Sequence, residues 1–226
     1  MNFSYILEIL PSLIDRLPIT IYIFFISAIL SLILAVIVAG LRVAKLPVVN
    51  QIILVYSSFM RSTPGIIHIF IAYYGIPYLL RALNIPVASG NQALYATVAL
   101  VAYNGAFMAE IIRPAYLSVG KDQQDAAKSI GMTNWQRLSR IIFPQVLPIA
   151  LPSLTTALID LLKDTSLLFL IGLVDLMGQA DILIANSYGI YQVEVYVAIA
   201  LIYWAMSSVI IWVNKKIENR FSMITG

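Results

Sequence analysis

The sequence predicts an all-α integral membrane protein: five transmembrane helices, a short N-terminal interfacial helix and a cytoplasmic helix between spans. Three observations predict it. Of the 226 residues, 61% are hydrophobic and only 11% charged, where a soluble domain carries roughly a quarter charged residues. Several uncharged runs are long enough to cross a bilayer, the first being Pro18 to Leu41. The charge is also unevenly spread, since eight of the 25 charged residues fall between Glu110 and Arg140. The whole of 1–226 reads as a single transmembrane domain. There is no cysteine, so disulfides and thiolate metal sites are excluded. A net charge of +3 is too small and too dispersed to argue for nucleic acid.

Residues 1–17 place Phe3, Ile6, Leu7, Leu10, Leu13, Ile14 and Leu17 at helical spacing, with an interruption expected at Pro11. The run from Pro18 exceeds a signal-peptide core and follows Glu8 and Asp15 rather than a basic stretch, so it reads as a retained span. A hydrocarbon core of about 30 Å needs about 20 helical residues, which places the first span at about 19–41. Arg61-Ser62-Thr63-Pro64-Gly65 supplies a charge and a helix breaker, so 49–60 reads as a short helix near one surface and the second span as about 64–80. Pro86, Gly90 and Asn91 mark the following loop. The third span, about 92–112, continues as helix to Val119, with Gly120 expected to end it in the left-handed conformation. The fourth and fifth spans are about 141–162 and 195–213. The short apolar run from Leu167 to Val174 is expected to form a partly re-entrant or surface helix.

Five spans put the termini on opposite sides. Eleven of the 14 Lys and Arg residues then share one face, leaving Arg16, Arg81 and Lys163 on the other. That bias predicts an outside N-terminus and a cytoplasmic C-terminus, and makes 120–137 a cytoplasmic loop. Within it, Asp122 is expected to cap a short helix with Asp125 three residues on, and Gly131 to stop it. Small Ala126 and Ala127 let a second surface approach closely. Thr133 and Gln136 form a capping-box pattern that opens the next helix, with Trp135, Leu138 and Ile142 as its apolar stripe. Such a short helix suits docking of a partner. A polar loop is also commonly just a solvated face.

Asp125-Ala126-Ala127, Gly131, Ile141 and Phe143-Pro144 resemble the EAA motif of permease subunits of ABC importers, with Asp for the usual Glu and Phe for the usual Leu. Arg61-Ser62-Thr63-Pro64, Ala109-Glu110, Arg113, Pro144-Gln145 and Lys163-Asp164-Thr165-Ser166-Leu167 are similar to the polar amino acid branch, over about residues 15–220. The resemblance implies a dimer with a second permease, two cytoplasmic ABC ATPase subunits, an extracytoplasmic amino acid-binding protein and a cell membrane location. It implies that Asp122, Asp125, Ala126, Ala127, Lys128 and Gly131 couple to the ATPase. ATP and Mg would be bound by that partner. The chain itself has no phosphate-cradling loop, because Gly120-Lys121 is followed by Asp122 and Ala115 stands where the earlier Gly is required. No cofactor, catalytic residue or metal is therefore expected here, one histidine and no cysteine being poor material for a transition-metal site.

Three features are candidates for the substrate path. Pro144, Pro148 and Pro152 recur every four residues and weaken one helix face, as a bending element or a static kink. Asp160, Lys163 and Asp164 stand at one helix end, followed by Thr165 and Ser166. Intramembrane ionisable groups default to function, while an i,i+3 ion pair is the structural alternative. His68, the single histidine, sits where the resemblance more often has Gln, and Tyr73, Tyr74, Tyr103 and Asn104 either face a cavity or pack. Ala99, Ala102, Gly105, Ala106 and Ala109 suit close helix contact. The expected function is ATP-driven import of polar amino acids, or close derivatives such as cystine, by alternating access. An ion-coupled secondary carrier and a non-transporting scaffold for a cytoplasmic partner are the alternatives.

Overall fold

A computed structural model describes residues 2–86 and 92–225; Gly90 and Asn91 of the expected loop lie outside them. The described chain is helical, without strands, and five of its helices are long and apolar enough to cross a membrane. The helix order is α1 (Phe3–Ile14), α2 (Leu17–Ala44), α3 (Pro47–Ser62), α4 (Gly65–Ala82) and α5 (Gln92–Ser118). Then follow α6 (Lys121–Ser129), α7 (Asn134–Ile171), α8 (Leu176–Asn186) and α9 (Gln192–Thr225).

Proline and left-handed residues cut these elements. Pro18 lies in the first turn of α2, where a missing N–H costs nothing. Lys45 ends α2 at φ 53, and Pro47 opens α3. A π-helical turn interrupts α4 at Ile71–Gly75 just before Pro77, and another interrupts α7 at Leu138–Ile142 just before Pro144. In both places the proline leaves a carbonyl without its helical donor, and the widened turn absorbs the mismatch. Pro11 does not interrupt α1, which runs through it.

The main core is organised on α5, with α2 lying along its length and α7 against another face. Small residues allow the approach: Ala96, Ala99, Ala106 and Ala109 are buried. A Cβ on Gly105 would sit 2.8 Å from Leu34 Cδ2, closer than atoms pack, so the glycine lets Leu34 of α2 settle directly on α5. The short helix expected at 49–60 is α3, which leans on the middle of α5: the Tyr56 hydroxyl donates to the Ala102 carbonyl.

A second core joins α1 to α8 and the start of α9. The predicted α1 stripe is split by it, Ile6, Ile9 and Leu13 being buried while Phe3 and Leu7 stay exposed. The apolar run after Asp164 is also corrected. Thr165–Ile171 is a 3-10 extension of α7, not a separate helix, and Leu168 and Ile171 are buried in the main core. Gly172, at φ +80, closes it: its N–H reaches the Phe169 carbonyl at 2.9 Å and that of Leu173 the Leu168 carbonyl at 3.3 Å.

Candidate functional site

Two places on α7 carry the predicted functional residues, one at each end. At the start, α6 is a nine-residue helix held between two caps. Its N-cap is Gly120, at φ −55 and ψ 144; this corrects both the left-handed role given to Gly120 and the capping role given to Asp122. Asp122 lies two positions beyond the cap, but its carboxylate sits in the first turn, where the helix dipole favours it. Asp125 forms no box and pairs with Lys128 at 3.3 Å, both exposed. The C-terminus ends as the glycine suggests. Gly131 takes φ +79, its N–H donates to the Lys128 carbonyl at 2.9 Å, and the Met132 N–H donates to the Ala127 carbonyl at 3.1 Å, a Schellman motif. The capping box follows at once. The Gln136 N–H donates to Thr133 Oγ1 at 3.2 Å, and the Thr133 N–H to Gln136 Oε1 at 2.9 Å.

The two alanines separate. Ala127 is buried against its own chain at 2% exposure, so it anchors α6 rather than offering a docking face. Ala126, Asp122, Asp125, Lys128 and Gly131 are exposed. Beside them Ile130 and Trp135 are 78% and 73% exposed. Of the apolar stripe expected for the next helix, only Ile142 is buried. Gln145 ties this corner to α7: its amide donates to Gln123 Oε1 at 2.7 Å and to the Ile141 carbonyl at 2.8 Å. Behind it, Glu110 of α5 bridges Arg42 of α2 and Arg113 of its own helix, and so fixes α2 and α5 relative to one another.

Further along α7 lies an open polar cavity of about 530 Å³ between α5 and α7. Tyr103, Asn104 and Phe107 line one wall, and Ser153, Thr156, Asp160, Lys163 and Asp164 the other. Asp160 and Lys163 are exposed and pair at 3.1 Å, an interaction worth about 0–1 kcal/mol. Asp164 is partly buried; Asn104 Nδ2 donates to it at 3.4 Å and to the Leu100 carbonyl at 3.2 Å. Among the described residues Asp164 has no cationic partner within ion-pair distance. The cavity therefore holds two carboxylates and one ammonium, with one carboxylate uncompensated.

The other predicted path residues lie elsewhere. His68 is buried and touches the cavity wall only from behind. Its ring packs 5.3 Å from those of Phe59 and Tyr103, and Nε2 lies 3.3 Å from the Met60 carbonyl. Thr165 is fully buried with its hydroxyl on the Leu162 carbonyl, and the Ser166 hydroxyl is on that of Lys163. Tyr73 and Tyr74 pack on each other, and Tyr73 also on Tyr95. Sequence reasoning missed Phe107, Ser153 and Thr156. A signal was available, because 153, 156, 160 and 164 repeat every three to four residues and form one polar helix stripe. It also missed Arg61, whose guanidinium lies 5.9 Å from the centroid of the Phe107 ring. Among the described residues no cluster of three or more His, Asp or Glu side chains is gathered as a metal site.

Asp175 organises the opposite corner, at the start of α8. It is buried and caps α8, Oδ1 accepting from the Gly178 N–H at 3.0 Å. The Thr20 hydroxyl donates to Oδ2 at 3.5 Å and accepts from the Leu176 N–H at 3.1 Å. Burial pushes this carboxyl up to about 6, against the opposing pull of those hydrogen bonds.

Comparison with known proteins bears on both places. The family described as "Binding-protein-dependent transport system inner membrane component" matches residues 31–223. The "Probable amino-acid ABC transporter permease protein PatM" of Vibrio harveyi is 38% identical over 225 residues, 97% of this chain and 98% of that one. The L-cystine transport system permease protein TcyL of Bacillus subtilis is 39% identical over 214 residues, covering 94% and 88%. Among solved structures, an amino acid ABC transporter crystallised with histidines superposes with a TM-score of 0.80 at 25% identity, covering 97% of this chain and 99% of that one. The MetNI methionine ABC transporter shares the fold, with a TM-score of 0.68 at 18% identity over 98% and 99%.

Proposed function

We propose how this chain, which belongs to the binding-protein-dependent transport inner-membrane component family and is a multi-pass ABC permease subunit, carries its substrate. The substrate is a polar amino acid or a close derivative such as cystine. It passes through the cavity between α5 and α7. The observation that carries this reading is the charge set of that cavity: Asp164 with no cation of its own, beside a loosely paired Lys163. A zwitterion supplies what is missing. Its ammonium group settles on Asp164, held in place by Asn104, and its carboxylate draws Lys163 from Asp160 or approaches Arg61 over Phe107.

Energy enters at the other end of α7. In this reading α6 is the cytoplasmic coupling helix, the N-terminus lies outside, and two ATPase subunits grip the exposed side chains of Asp122, Asp125, Ala126 and Lys128. ATP and Mg are bound by those partners, and an extracytoplasmic binding protein delivers the amino acid to a permease dimer. Closure of the ATPases displaces α6. The Schellman turn and capping box are stiff, so the displacement passes into α7. There the π turn and the prolines at 144, 148 and 152 give the helix its weak face, and the cavity wall moves.

The test is uptake into proteoliposomes holding the complete transporter, with a panel of radiolabelled amino acids. Accumulation that requires internal or external ATP at the ATPase side, and that is insensitive to proton or sodium gradients, is the expected result. Uptake driven by an ion gradient without ATP would overturn it in favour of an ion-coupled carrier.

A further inference from the structure

A second cavity takes no part in this pathway. It is an open groove of about 830 Å³ between α2 and α7, with α5 as its floor and the second half of α9 closing one side. It exists because α2 and α7 both pack on α5 but meet each other only sparsely. On α2 it runs from Phe24 to Val43, about 28 Å at 1.5 Å per residue, close to the thickness of a hydrocarbon core.

Its two ends differ. Phe24 and Leu158 bound one end, where the charged residue within a helical turn is the acid Asp160, already paired with Lys163. Val43, Leu138 and Asn214 bound the other. There each wall element carries a cation within two residues in sequence of its lining position at that end: Lys45 near Val43, Arg140 near Leu138, Lys215 near Asn214. All three are exposed, and among the described residues none takes part in an ion pair. The nearest acid on α9 is Glu218, and Glu110 is already engaged by Arg42 and Arg113. An apolar slot of membrane length whose wall helices each carry an unpaired cation near the same end matches an amphiphile with an anionic head. An apolar helix from a second copy fits the length but leaves the cations unanswered.

We propose that this groove is a binding site for an anionic phospholipid, its acyl chains along α2 and α7 and its phosphate among Lys45, Arg140 and Lys215. The assignment is independent of which face is cytoplasmic and of what is transported. Native mass spectrometry of the complete transporter, released from mild detergent with added phosphatidylglycerol or phosphatidylcholine, tests it. Phosphatidylglycerol is expected to be retained about tenfold more tightly. Lys45→Gln with Lys215→Gln is expected to lower that retention severalfold and leave phosphatidylcholine unchanged. Gly40 lines the groove, and an added Cβ there meets no atom within 4 Å. Gly40→Trp therefore fills the slot and is expected to abolish retention, while Gly40→Ala keeps it.

Equal retention of the two lipids by the unaltered protein would overturn the proposal. So would full phosphatidylglycerol binding by the lysine pair variant, which changes only exposed side chains and is not expected to disturb folding. A disulfide between Gly40→Cys and a cysteine placed in the other copy, in a chain with no cysteine of its own, would also overturn it by showing protein in the groove.

Discussion

The two ends of α7 are held in place by different means. At its start, position is set by backbone: a Schellman glycine, a capping box and the anchor Ala127 hold α6 so that its other side chains project free. Further along, position is set by tertiary contact: Asn104 of α5 reaches across to a partly buried Asp164, and the cavity exists only where the two helices part. One end can be altered by changing a turn, the other only by changing a charge or a packed neighbour. Variants at the two ends are therefore expected to fail differently.

The largest effect is expected at the cavity. Asp164→Asn removes the uncompensated carboxylate; losing a charged hydrogen bond of about 2 kcal/mol corresponds to roughly thirtyfold. Uptake measured in proteoliposomes is expected to fall by about that factor, with the ATPase still assembled. Gly131→Val comes next. A β-branched residue at φ +79 costs about 1–2 kcal/mol, so the C-terminus of α6 is expected to unwind. Uptake falls on the order of tenfold, and less ATPase copurifies with the permease. Thr133→Ala with Gln136→Ala removes the capping box, worth about 1 kcal/mol, and a loss of uptake of a few fold is expected in the same assay.

The last effect lies away from both ends, at Asp175, and is read in stability rather than in uptake. Its folded pKa of about 6 stands above the ordinary carboxylate value near 4, so folding disfavours the charged form. That cost is present in full above pH 6 and disappears below about pH 4. Thermal stability of the purified permease is expected to rise by on the order of 2 kcal/mol as pH is lowered across that window. Asp175→Asn, which can still cap α8, is expected to flatten the dependence.

The same contrast explains how much was legible in the chain. Backbone signals are local, so Gly131 and the Thr133–Gln136 box were readable, as were five helices of membrane length. They were misplaced only where two local readings competed. Gly120 caps α6 in an extended conformation, so Asp122 falls two positions past the cap, as the second residue of the helix. Cross-helix facts were not readable. Nothing near Asn104 in sequence marks Asp164, sixty residues away, as its partner. His68 was attractive because it is the only histidine, yet it packs between Phe59 and Tyr103. Ala127 looked like part of an outward face, but helix phase alone does not say which side of so short a helix is covered.

The central claim is that work enters at α6 and is spent on a charged substrate in the α5–α7 cavity. The most direct measurement compares Asp164→Asn with Ala126→Trp, which places a bulky ring on the exposed face of α6, in ATPase copurification and uptake from the same preparations. Asp164→Asn is expected to retain the ATPase and lose uptake, whereas Ala126→Trp is expected to lose both. Undiminished uptake by Asp164→Asn, or full ATPase copurification with Ala126→Trp, would contradict the account.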